Sequence, residues 1–105
     1  MAFLRHLALT CIACLFASAL HAQQSDFYAG KTIKIIVGYG PGSSYDGYAR
    51  LIAQNAGRYI KGNPNFVVEN LPGAGSLTAL NFAVNLAPQD GTVISAIGAT
   101  LPFGP

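Results

Sequence analysis

Tryptophan is absent from this 105-residue sequence, cysteine and histidine occur twice each, and there are only four acids. Position makes the scarcity sharper, because Cys11, Cys14, His6 and His21 all fall within the first 22 residues. There Arg5 precedes a charge-free apolar run from Leu7 to Leu20, and small residues follow. That is the pattern of a secretory signal peptide, with an apolar core too short to span a bilayer as a stable helix. Both Leu20-His21-Ala22 and Ala17-Ser18-Ala19 suit cleavage, and the polar run Gln23-Gln24-Ser25-Asp26 favours the cut after Ala22. Residues 1–22 are read as a leader and 23–105 as the mature chain, with no stable membrane insertion after cleavage.

A mature chain without cysteine or histidine loses much chemistry at once. There is no imidazole or thiolate to activate a nucleophile or bind a transition metal, and the Cys11-Ile12-Ala13-Cys14 pair leaves with the leader. Asp26, Asp46, Glu69 and Asp90 are scattered, which gives no local paired-carboxylate site. Lys31, Lys34, Arg50, Arg58 and Lys61 nearly balance these acids and form no basic stripe, so nucleic acid is not an expected partner. Neither metal nor cofactor is expected, and the chain is not read as an enzyme.

What is present alternates in period. Thr32-Ile33-Lys34-Ile35-Ile36-Val37 is a β-branched run ending at Gly38, as in a strand buried on both faces. From about Ser44 to Ile60, Ala49, Ile52, Ala53, Ala56 and Ile60 recur at helical spacing, and Lys61-Gly62-Asn63-Pro64 stops the helix. Phe66 to Glu69 reads as a second strand. Ser76 or a neighbour caps a second helix running through Ala87, with Ala79, Phe82, Ala83 and Leu86 on one face. After a turn at Pro88-Gln89-Asp90-Gly91, Thr92 to Ile97 forms a third strand.

The order β-α-β-α-β implies an α/β fold with a parallel sheet and right-handed crossovers. In such a sheet both strand-to-helix loops, Gly38 to Ser44 and Leu71 to Ser76, emerge at the carboxyl edge and run into helix N-termini. Each N-terminus carries unpaired N–H groups and about +0.5 of an elementary charge, and the glycines let that backbone approach a ligand closely. Ser43, Ser44 and Ser76 could add hydroxyl donors. The pair is a plausible anion site. It is not a Walker loop, since no lysine follows the glycines at the required place, and the dinucleotide fingerprint fails because Ser43 takes the place of its last glycine.

Four motifs in order carry a family resemblance across residues 27 to 98. They are the Tyr28-to-Val37 strand with Lys31, Pro41-Gly42-Ser43-Ser44-Tyr45-Asp46-Gly47-Tyr48-Ala49-Arg50, Val68-Glu69-Asn70-Leu71-Pro72-Gly73-Ala74-Gly75, and Ala87-Pro88-Gln89-Asp90-Gly91-Thr92. The chain resembles the amino-terminal part of the periplasmic solute-binding receptors of tripartite tricarboxylate transporters, the Bug family. The resemblance implies a type 2 periplasmic-binding-protein (Venus-flytrap) fold that captures a small carboxylate and hands it to a membrane permease. Carried onto this sequence, the carboxylate contacts fall on Tyr39, Gly42, Ser43, Ser44 and Asp46 in the first loop and on Gly73, Ala74 and Gly75 in the second. Ser43 departs from the pattern, which has a glycine there. Family chains are much longer, so residues 23–105 would form part of the first lobe, without the second lobe or hinge. Alternatives are a small phosphate- or nucleotide-binding α/β domain, or a truncated product without binding function. A chain this short, with buried-type strands left at its sheet edges, is expected to be marginally stable alone.

Overall fold

The computed structural model describes residues 1–4 and 27–99. The leader, its cleavage point and the tail from Thr100 lie outside the described residues. Three strands, β1 (Thr32–Val37), β2 (Asn65–Asn70) and β3 (Val93–Ala96), form a parallel sheet in the order β2-β1-β3. Two helices, α1 (Ser44–Asn55) and α2 (Leu77–Asn85), connect them. The chain is thus a small α/β unit built on a three-stranded parallel sheet.

β1 has the continuous apolar run because it is central. Ile33, Ile35, Ile36 and Val37 are all buried, while the outer β2 alternates between exposed and half-buried residues. Residues of alternate parity along a strand point to opposite faces of the sheet. On one face Ile35 and Val37 meet Ala49 of α1, with Val68, Ala53 and Ala96 packed around them. A methyl side chain at Ala49 lets the helix lie close on the sheet. Lys34 and Glu69, of the other parity, form a half-exposed ion pair at 2.7 Å, worth little to stability.

Several boundaries differ from the sequence reading, each for a local reason. The first helix does not stay α-helical to Ile60: it ends at Asn55, tightens to a 3₁₀ turn over Ala56–Tyr59, and Ile60 is extended. Gly62, at φ +90°, then passes against the backbone of Tyr28 and Ala29, so the stop signal also provides a close backbone crossing. The second helix stops at Asn85 rather than Ala87. Leu86 and Ala87 both donate to Phe82 O at 2.9 Å, and the Gln89 amide donates to the carbonyls of Ala83 (2.8 Å) and Ala87 (3.0 Å). That termination turns Leu86 outward, 77% exposed, instead of onto the face of Ala79 and Phe82. Tyr48 and Tyr59 are also largely exposed. The turn before β3 is held by Asp90, whose carboxylate accepts from the Thr92 N–H (3.0 Å) and hydroxyl (2.5 Å); these bonds lower its pKa.

Candidate functional site

The carboxyl ends of the strands meet as the topology requires. Gly38 N–H donates to Ala96 O at 3.0 Å, and Leu71 N–H donates to Val37 O at 2.7 Å, so the chain enters both loops side by side.

The first loop is organised by a reciprocal cap. Ser43 is the N-cap of α1, and its Oγ accepts from Asp46 N–H at 3.2 Å. Asp46 reaches back, and its Oδ2 accepts from Gly42 N–H at 3.0 Å. This is a capping box whose return bond falls one residue further upstream than usual. Asp46 is nonetheless more than a cap: Oδ2 also accepts from Arg50 Nε at 3.0 Å, and Oδ1 accepts from Asn70 Nδ2 at 2.9 Å. Those donors, Arg50 foremost, then Gly42 and Asn70, hold its pKa down to about 2 against a usual 3.8. The carboxylate is 4% exposed and surrounded by its own donors. It therefore acts chemically as the organiser of the loop, with its charge balanced by Arg50.

Asn70 was not among the expected site residues, yet it ties the site together. From the last position of β2 its Nδ2 donates to Tyr39 O (2.9 Å) as well as to Asp46, and its Oδ1 accepts from Arg50 Nη2 (3.3 Å). Tyr39 stacks on Tyr45 with ring centres 4.6 Å apart, and both pack against the Ile35–Val37–Ala49 cluster. The Tyr45 hydroxyl accepts from Ala99 N–H at 3.3 Å, bringing the residues after β3 to the same edge. Ser44 is exposed at the start of α1 and borders, with Tyr45 and Tyr48, a hollow of about 240 Å³.

In the second loop Ser76 does not cap α2 with its side chain. It is left-handed (φ 71°), fully buried, and its Oγ accepts from Gly98 N–H at 2.6 Å. The loop backbone caps the helix instead: Leu77 N–H donates to Ala74 O, and Thr78 N–H to Gly73 O at 3.4 Å. Ala74, Gly75 and Ser76 are three consecutive residues with positive φ (48°, 60°, 71°). A left-handed conformation costs a residue with a Cβ about 1–2 kcal/mol. Gly73, Ala74 and Gly75 are all exposed, so this strained backbone faces outward from the edge. Because Ala74 has no packing to lose, Ala74→Gly is expected to raise the urea midpoint, stabilising the chain by about 0.5–1 kcal/mol after glycine's own entropic cost. A lower midpoint would show that the methyl group makes a contact that matters.

The expected residues thus divide in two. Tyr39, Gly42, Ser43 and Asp46 form one hydrogen-bonded and stacked unit, with Ser44 on its rim. Gly73, Ala74 and Gly75 form the exposed crest of the adjoining loop. Of two larger hollows, one of about 530 Å³ borders the second loop at Leu71 and Thr78 and runs along α2 past Phe82 and Leu86, and one of about 500 Å³ lies beside Leu51, Ile52 and Tyr59. Among the described residues no cluster of metal-ligating side chains occurs, and no helix is long and apolar enough to cross a membrane.

Compared with known proteins, the chain is 37% identical over 82 residues to the "UPF0065 protein in gbd 5'region" of Cupriavidus necator. The match covers 77% of this chain and 24% of that protein, so the chain spans about a quarter of the length of the curated relative it matches. No family model matches the chain, and no solved structure matches it significantly.

Proposed function

We propose that the chain supplies one jaw of a periplasmic solute-binding receptor of the tripartite tricarboxylate transporter type, gripping a small carboxylate for delivery to a membrane permease. The observation that carries this reading is the junction of two glycine-bearing loops at one sheet edge, each leading into a helix N-terminus. The order of four sequence motifs supports it further. The chemistry favours a carboxylate over a phosphate ester: the edge offers backbone N–H groups and hydroxyls, and the nearest cation, Arg50, is already paired with Asp46. The site is open, as one jaw of a two-lobed trap would be.

Calorimetric titration of the chain with malonate, succinate and citrate, alongside ATP and NAD, tests the reading. Heat is expected with at least one carboxylate and with neither nucleotide. Heat with nucleotides alone would overturn it in favour of a phosphate-binding domain. Silence with every ligand, from a chain with a folded circular-dichroism spectrum, would overturn it in favour of a product that does not bind by itself.

A further inference from the structure

The Asn70 amide is saturated by groups that belong to the other loop and to α1. Its Nδ2 donates to Tyr39 O and Asp46 Oδ1, both at 2.9 Å, and its Oδ1 accepts from Arg50 Nη2 at 3.3 Å. The residue's own backbone is fixed by the sheet, where Asn70 is paired with Val37, and the next residue, Leu71, already belongs to the second loop. The side chain therefore spans from the root of one loop to the body of the other. Few side chains could replace it: aspartate has no donor for the two oxygens, leucine has neither donor nor acceptor, and serine is too short to reach them.

We propose that Asn70 is the positioning residue that fixes the first loop against the second, and with it the spacing of the N–H groups that meet an anion. This rests on the carboxylate-grip reading for its functional consequence, but the positioning itself does not. The charged groups that contact the amide are Asp46 and Arg50 of α1, while the Tyr39 phenol lies toward Gly98 and the Tyr45 phenol toward Ala99. Lys34 and Glu69 pair with each other on the opposite face of the sheet.

Two variants of the full chain test it, with amide-exchange protection factors and succinate titration as readouts. In Asn70→Ala, protection across residues 39–47 is expected to fall about tenfold while the β1 amides keep theirs, and succinate should bind about tenfold more weakly. Asn70→Asp puts a second carboxyl against Asp46, so at neutral pH it should be the worse of the two. Because Arg50 keeps Asp46 ionised, the new carboxyl takes the shared proton first as pH falls, and its O–H restores one donor. Loop protection in Asn70→Asp should therefore recover toward pH 4–5, whereas in Asn70→Ala it should not. If both variants unfold at neutral pH, refolding of Asn70→Asp alone on acidification supports the proposal equally. Uniform loss over loops and sheet in both variants, or no recovery on acidification, overturns the proposal. If the parent chain binds no succinate, the carboxylate reading fails, but the exchange data still decide whether Asn70 positions the loop.

Discussion

Gly38→Ala is expected to remove most of the chain's stability and to lower its urea midpoint severely, although its backbone could accept the substitution. An added Cβ would lie 2.1 Å from Ser76 Cβ and 2.9 Å from Ser76 Cα. Neither partner can yield easily. Gly38 N–H is bonded to Ala96 O, and Ser76 is fully buried in a left-handed conformation with its hydroxyl bonded to Gly98. Gly98 in turn has no slack, since a Cβ there would meet the Tyr39 hydroxyl at 2.6 Å. Overpacking a core costs about 1–3 kcal/mol, and a clash with backbone belongs at or above the top of that range. A small domain has about 5–15 kcal/mol of stability in all. This one, with Tyr48, Leu51, Ile52, Val84 and Leu86 exposed, is expected at the low end.

The companion test is Ser76→Gly in the same background. It removes the Cβ that Gly38→Ala strikes and places glycine where φ is +71°, at the cost of the acceptor for Gly98 N–H. Partial recovery of the urea midpoint, with a coupling of about 1–3 kcal/mol between the two sites, is the expected result. A Gly38→Ala chain that unfolds like the parent would show that the three strand ends are looser than their packing indicates.

The contrast between Gly38 and Ser76 also marks the limit of what sequence could reveal. The strands, their parallel order and the shared edge of the two loops were legible because they follow from local periodicity and from the length of the crossovers. Ser76 was read as a cap because serine before a helical pattern usually is one. The residue is instead consumed by Gly98, 22 positions away, and no local signal encodes that bond. Asn70 was missed for the same reason, its partners being a carbonyl 31 residues upstream and a carboxylate 24 residues upstream. The Ser43–Asp46 cap is a different case. Ser43-Ser44-Tyr45-Asp46 carries the Ser-x-x-acid spacing of a capping box, so that bond was available from sequence alone. The i, i+4 pairing of Asp46 with Arg50 was legible on the same grounds and is present at 3.0 Å. The second helix end was misplaced because Gln89, beyond the helix, supplies the donors that close it.

Asp46→Asn should lower the melting midpoint at neutral pH by on the order of 10 °C, the expected scale for losing a charged hydrogen-bond hub in a domain this small. The exchange is nearly isosteric, so volume is not the cause. Every group around the carboxylate is a donor: Gly42 N–H, Arg50 Nε–H and Asn70 Nδ2–H. An amide must turn its NH₂ toward one of them, and it leaves Arg50 without its counter-charge. The pH dependence separates this account from a general loss of packing. In the folded chain Asp46 has a pKa of about 2, below the usual 3.8, so the unfolded chain takes up this proton first as pH falls. The stabilisation is therefore complete above about pH 4 and is lost on acidification toward pH 2. Asp90 is also depressed, by its bonds to Thr92, and adds its own slope in both chains, so the difference between parent and variant is the quantity to follow. Thermal melts at half-unit pH steps should show a gap that is constant from pH 7 to about 4.5 and closes toward pH 2. A gap that persists undiminished at pH 2 would mean that the carboxylate's charge is not what holds Gly42, Arg50 and Asn70 together.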